Sequence, residues 1–162
     1  IMTVFTSGLH GPAGNPSGAQ GGIIQVTQTI FKTPQDFSTT GSYFDTGLTC
    51  AITPTTSDNH VLIHFSFNGG PNSAAEMRFR VQRGSTTLDV GNGSGGVDAF
   101  IAGTQDGSRP AYPSAMLLDT GIATTSATTY KLQLSSTSAS HMNKRDNDYR
   151  ACSVMTLMEV SA

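Results

Sequence analysis

The sequence predicts an all-β protein, an antiparallel β-sandwich of about ten strands. Three observations lead there. Apolar residues recur at alternate positions over runs of strand length. Turn formers separate the runs, as in "TPTTSDN", "NGGPNS", "GNGSGG", "QDGSRP" and "KRDND". No stretch carries a convincing helical pattern, and many short alternating strands with turn-rich links are the mark of a sandwich.

Residues 1–22, "IMTVFTSGLHGPAGNPSGAQGG", are rich in Gly and Pro and have no period. They read as an arm ahead of a sandwich domain spanning 23–162. Met2 reads as a start codon near the chain end or as an internal cut point. Met2, Val4, Phe5 and Leu9 supply an apolar anchor, and the glycines and prolines keep the segment extended. That combination suits a docking arm that orders on a neighbouring subunit or on a particle surface, losing conformational entropy as it binds.

The strands follow in order: "IIQVTQTI" (23–30), "SYFDTGLTCAI" (42–52), "HVLIHFSF" (60–67), "EMRFRVQR" (76–83) and "TTLDV" (86–90). Then come "VDAFIAG" (97–103), "SAMLLDT" (114–120), "TTYKLQLSS" (128–136), "SHMNK" (140–144) and "RACSVMTLMEV" (150–160). Val61, Ile63, Phe65 and Phe67 form one inward row, and Phe44, Leu48, Cys50 and Ile52 another. Phe79, Val81, Leu132 and Leu134 complete the expected core.

A chain of 162 residues is long enough to bury one such core. Charged residues make up 12% of it, about half the usual ~25%. Threonine is the commonest residue. A surface rich in Thr and Ser and poor in charge suits packing against identical copies, where Lys and Glu would have to be desolvated. The formal net charge of −2 gives no general attraction to nucleic acid or to anionic membranes. No apolar run approaches the roughly 20 residues of a membrane-spanning helix, and no signal-peptide pattern is visible, so a soluble protein is expected. Cys50 and Cys152 lie in apolar, strand-like segments and are expected to be buried free thiols. A disulfide would require their strands to be neighbours.

Three of the nine basic residues fall within six positions, at Arg78, Arg80 and Arg83. Glu76, Arg78, Arg80 and Gln82 alternate with Met77, Phe79 and Val81, which places Arg78 and Arg80 on the wet face of a half-buried strand. The other reading is a salt-bridged subunit interface. A nucleic-acid platform would want more basic residues and aromatics on the same face, whereas Phe79 points the other way.

"GNGSGG" matches the GxGxxG spacing but precedes a strand, not the helix a dinucleotide site requires, and reads as an inter-strand loop. Asn92-Gly93-Ser94 has the form of a glycosylation sequon. His60 and His64 share a strand face about 13 Å apart, too far for one metal ion. "KRDNDYR" lacks the spacing and closing Glu of an EF-hand and reads as a solvated hairpin loop. Glu76 and Glu159 are the only glutamates, and there is no GxSxG elbow or phosphate-binding loop. No catalytic, cofactor or metal residues are assigned, and the chain is expected not to be an enzyme. Glycan recognition through Asn, Asp and Thr loops stays open.

Several stretches, taken in order, resemble domains of virion structural proteins of tailed phages, marine ones especially. They are "GGIIQVTQTIFKT", "FDTGLTCAITPTTSDNHVLIHFSF", "RVQRGSTTL", "LLDTGIATTSATTYKLQLSS" and "RACSVMTLMEVSA". The resemblance covers roughly residues 21–162. It implies a jelly-roll-like sandwich, a homotrimer in the manner of tumour-necrosis-factor-like knobs, on the exterior of the virion. It brings no catalytic residues. Partners would be further copies of the chain, the major capsid protein or tail components, and for a fibre a host surface glycan or protein. Such domains most often end tail fibres, but the chain shows no shaft. If it is complete, its length fits a capsid decoration or cement protein; if it is part of a longer protein, a fibre tip binding a host receptor fits better.

Overall fold

The computed structural model describes residues 22–91, 98–105, 112–145 and 149–162, and these form fourteen strands and no helix. The arm anchor (Met2, Val4, Phe5, Leu9), the Asn92 sequon and most of "GNGSGG" and "QDGSRP" lie outside the described residues.

In chain order the strands are β1 (Ile23–Phe31), β2 (Gln35–Phe37), β3 (Phe44–Ile52), β4 (His60–Ser66), β5 (Gly69–Pro71), β6 (Ala75–Arg83) and β7 (Thr86–Leu88). They continue as β8 (Ile101–Gln105), β9 (Ser114–Asp119), β10 (Thr128–Ser136), β11 (Ser140–Met142), β12 (Lys144–Arg145), β13 (Tyr149–Arg150) and β14 (Ser153–Val160). Every pairing is antiparallel. One layer of the sandwich is a four-stranded sheet in the order β1-β14-β4-β9. The other is a five-stranded sheet in which β3, β10, β6 and β7 follow one another and β8 pairs the rest of β6.

The core lies between the layers and follows the two-residue period of the sequence. Val61, Ile63, Phe65, Phe67, Phe79, Val81, Leu132 and Leu134 are all buried, as are Leu48, Cys50 and Ile52. Phe44 is partly buried and packs on the same cluster. Side chains stitch the two layers at both edges. Along one, Thr27 and Gln25 of β1 donate to the carbonyls of Ala51 and Thr53, at 3.0 and 2.6 Å. Along the other, Arg83 of β6 reaches Asp119 of β9 at 2.6 Å.

Three features depart from the sequence expectation. First, four short strands were not foreseen: β2, β5, β12 and β13. "NGGPNS" was expected to be a turn, yet Gly69–Pro71 form β5, pair with β11 and are fully buried. The reason is close approach: a Cβ on Gly69 would collide with the carbonyl oxygen of His141, so glycine here serves packing and not reversal. Second, the strand expected at 97–103 is displaced to Ile101–Gln105. Third, Cys152 is exposed just before β14, while Cys50 alone is buried; both thiols are free.

One irregularity shapes the five-stranded sheet. Between Lys131 and Gln133 the β3–β10 register shifts, and Gly47 sits there with a φ of +82°. Buried Thr46 holds this bulge by donating to the carbonyl of Leu132 at 2.8 Å and accepting from the Leu48 amide.

Candidate functional site

The two outer faces of the sandwich are built from the same kind of strand and carry opposite chemistry. On the five-stranded sheet, the alternation of β6 turns Glu76, Arg78, Arg80 and Gln82 outward. Register with β10 sets Ser135 beside Arg78 and Gln133 beside Arg80, and β3 brings Asp45 beside Gln133. A relay of hydrogen bonds results. Arg80 Nε donates to Gln133 Oε1 at 2.7 Å, Gln133 Nε2 donates to Asp45 Oδ1 at 2.6 Å, and Lys131 Nζ pairs with Asp45 Oδ2 at 3.0 Å. The Arg80 guanidinium also lies 3.9 Å over the ring of Tyr43, a cation–π contact of about 0.5–1 kcal/mol at an exposed site.

Arg78 is held on its own strand by a two-pronged pair with Glu76, at 2.7 and 2.6 Å. The hydrogen bond from Gln133, opposed by partial burial and assisted by Lys131, holds the Asp45 carboxyl below its ordinary range. Burial pushes the Tyr43 hydroxyl up, moderated by the nearby Arg80 and Arg78 charges. The arginines therefore sit on the wet face, where they are tied down by neighbours.

The outer face of the four-stranded sheet is different. Registers across β1, β14, β4 and β9 align Val26, Met158, Leu62 and Leu118 in one unbroken apolar row. The next row is Gln28, Thr156, His64 and Met116, and the one beyond it Ile30, Val154, Ser66 and Ser114. No outward position of these four strands carries Asp, Glu, Lys or Arg. Met116 is 56% exposed, Ile30 50% and Leu118 42%.

Two buried carboxylates serve the frame between these faces. Glu159, fully buried on β14, accepts from Gln25 Nε2 at 2.5 Å, Asn59 Nδ2 at 2.5 Å and both the amide and hydroxyl of Thr55 at 2.7 Å. Burial alone would raise its carboxyl, but the donors from Asn59, Gln25 and Thr55 outweigh it and hold the group below its ordinary range. Asp119 accepts from Arg83, from the Gly121 amide and from the buried Tyr130 hydroxyl at 2.8 Å. Burial, then the hydrogen bond to Asp119 and its charge, push the Tyr130 hydroxyl far up, so it stays a neutral donor.

Glu76 and Glu159 thus occupy an outer face of one sheet and the inner face of the other. His60 and His64 share the outer face of β4, and His64 Nε2 lies 2.9 Å from Ser114 Oγ. Among the described residues no three His, Cys, Asp or Glu side chains gather closely enough to hold an ion. A groove of about 270 Å³ runs along Met77, Phe79, Ile101 and Tyr112, below the usual ~300–1,000 Å³ of ligand sites.

Sequence reasoning located Arg78 and Arg80 but missed Tyr43, Asp45 and Gln133, which meet them only through the β3–β10–β6 register. It also missed the uncharged face, although a clue was present. In β1, β4, β9 and β14 only Asp119 and Glu159 are charged, and β9 and β14 carry apolar residues at both parities, the pattern of strands covered on both sides. No protein-family model matches this chain, and no curated protein does either.

Proposed function

We propose that this chain is a non-enzymatic structural protein of a tailed-phage virion, displayed on the particle exterior as a homotrimeric, jelly-roll-like capsid decoration or cement protein. The observation that carries the reading is the uncharged outer face of the four-stranded sheet, exposed in a chain whose other outer face is bound up in ion pairs and hydrogen bonds. Such a surface suits permanent assembly better than turnover of a substrate. The ordered resemblance along residues 21–162 supports the phage assignment, and the apolar residues Met2, Val4, Phe5 and Leu9 would dock the arm on the major capsid protein.

The second reading, a tail-fibre tip that binds a host glycan or protein, is favoured by one feature: Tyr43, Arg80, Asp45 and Gln133 form a polar, hydrogen-bonded cluster on the outer face of the five-stranded sheet. Counting the chain in purified particles of the phage that encodes it separates the two. Hundreds of copies per particle support decoration, and a few dozen or fewer support a fibre tip. Its absence from the particle removes both.

A further inference from the structure

We infer that the outer face of the four-stranded sheet is where copies of this chain meet, the β1 side of the face in one copy lying against the β9 side of the face in the next. The inference rests on the self-assembly proposed above and names its surface.

Charge is the first argument. A face carrying net charge repels its own copy, whereas one without Asp, Glu, Lys or Arg is compatible with itself in any rotation. Hydrogen bonding is the second. Two polar pairs on this face are satisfied within it: Gln28 Nε2 donates to Thr156 Oγ1 at 2.9 Å, and His64 Nε2 lies 2.9 Å from Ser114 Oγ, whereas His60 Nδ1 has no hydrogen-bond partner among the described residues. Covering the two pairs leaves those groups paired, so their burial carries little of the penalty that orphaned polar atoms impose. Between them stand Val26, Met158, Leu62 and Leu118 in their row, with Ile30 and Met116 protruding from the two edge strands.

Size is the third argument. Four strands about 4.8 Å apart, each six to nine residues long at about 3.3 Å per residue, give a footprint of roughly 500 Å². A corrugated surface of that footprint, with the rim residues Ile23 and Ile24 added, approaches the ~800 Å² of accessible area per partner of a stable interface. Exposure on the strands at both edges lets one copy serve two neighbours, as a closed three-fold assembly requires.

Light scattering on the full-length protein, compared with Ile30→Glu and Met116→Glu, tests this. Wild type is expected as a closed oligomer at micromolar concentration, and each substitution is expected to reduce the mass to that of a single chain with an unchanged far-ultraviolet circular dichroism spectrum. The two positions lie on opposite edges, so if one variant misfolds the other still decides. A monomeric wild type, or folded variants that stay oligomeric, would overturn the inference. A wild-type dimer broken by the same substitutions keeps the surface and overturns only the copy number taken from the proposed function. An oligomer broken as expected but absent from particles keeps the surface and sinks the virion role.

Discussion

The outer faces of the two sheets differ more than the two layers themselves do. Behind each lies the same core, with Phe65 and Leu157 from one layer and Phe79 and Leu132 from the other. Outward, β6 presents Glu76, Arg78, Arg80 and Gln82, while β4 presents His60, Leu62, His64 and Ser66. The charged face is arranged to be seen by water: its ions are paired laterally and remain partly exposed. The uncharged face has lateral pairs too, but between neutral groups, and its apolar side chains are left standing. One face is finished as it is, and the other is the one we propose is completed by contact.

The largest effect should come from the core both faces share. Phe65→Ala is expected to destabilise the fold by roughly 3–5 kcal/mol, as for other truncated core aromatics, in chemical denaturation. A loss below about 1 kcal/mol would mean that the two faces do not rest on one core.

Next come the carboxylates that brace the frame. Glu159→Gln turns an amide nitrogen toward donors from Gln25, Thr55 and Asn59, at an expected loss of roughly 1–3 kcal/mol at neutral pH. The sign of the pH dependence follows from the lowered folded-state value of Glu159. Its contribution is complete above the ordinary glutamate value of 4.5 and is lost as pH falls through the lower folded value. Acid titration of stability should therefore be shallower in Glu159→Gln than in wild type. An acid limb of unchanged slope would show that the carboxylate is not held as described.

The smallest effect sharpens the contrast most. Arg78→Gln with Arg80→Gln removes a surface ion pair, one relay bond and the Tyr43 contact, and should cost within about 1 kcal/mol with the assembled mass unchanged. Loss of assembly by a folded double variant would move the subunit contact to the charged face.

How much of this the sequence could reveal depends on the range of the interactions. Rows such as Val61, Ile63 and Phe65 obey a local period and were legible, and β10 runs over the expected residues 128–136. β5 was not legible, because the burial of Gly69 depends on the His141 carbonyl from a strand about seventy residues away. The Tyr43–Arg80 contact was hidden for the same reason: it depends on the register of three strands and on the bulge at Gly47. Cys152 was misplaced because the apolar run around it begins as a strand only at Ser153. The uncharged face lies between these cases. The near absence of charge from β1, β4, β9 and β14 is a local signal, but which strands stand side by side is not.

The most direct measurement is the rate at which peroxide oxidises Met116 in the native assembly. In the single chain this side chain is 56% exposed and stands on the β9 edge of the uncharged face. Met116 should be protected in the assembled wild type and should react readily once Ile30→Glu has separated the copies. Oxidation of Met116 at the same rate in both would show that this face is open to water in the assembly, and would contradict the account.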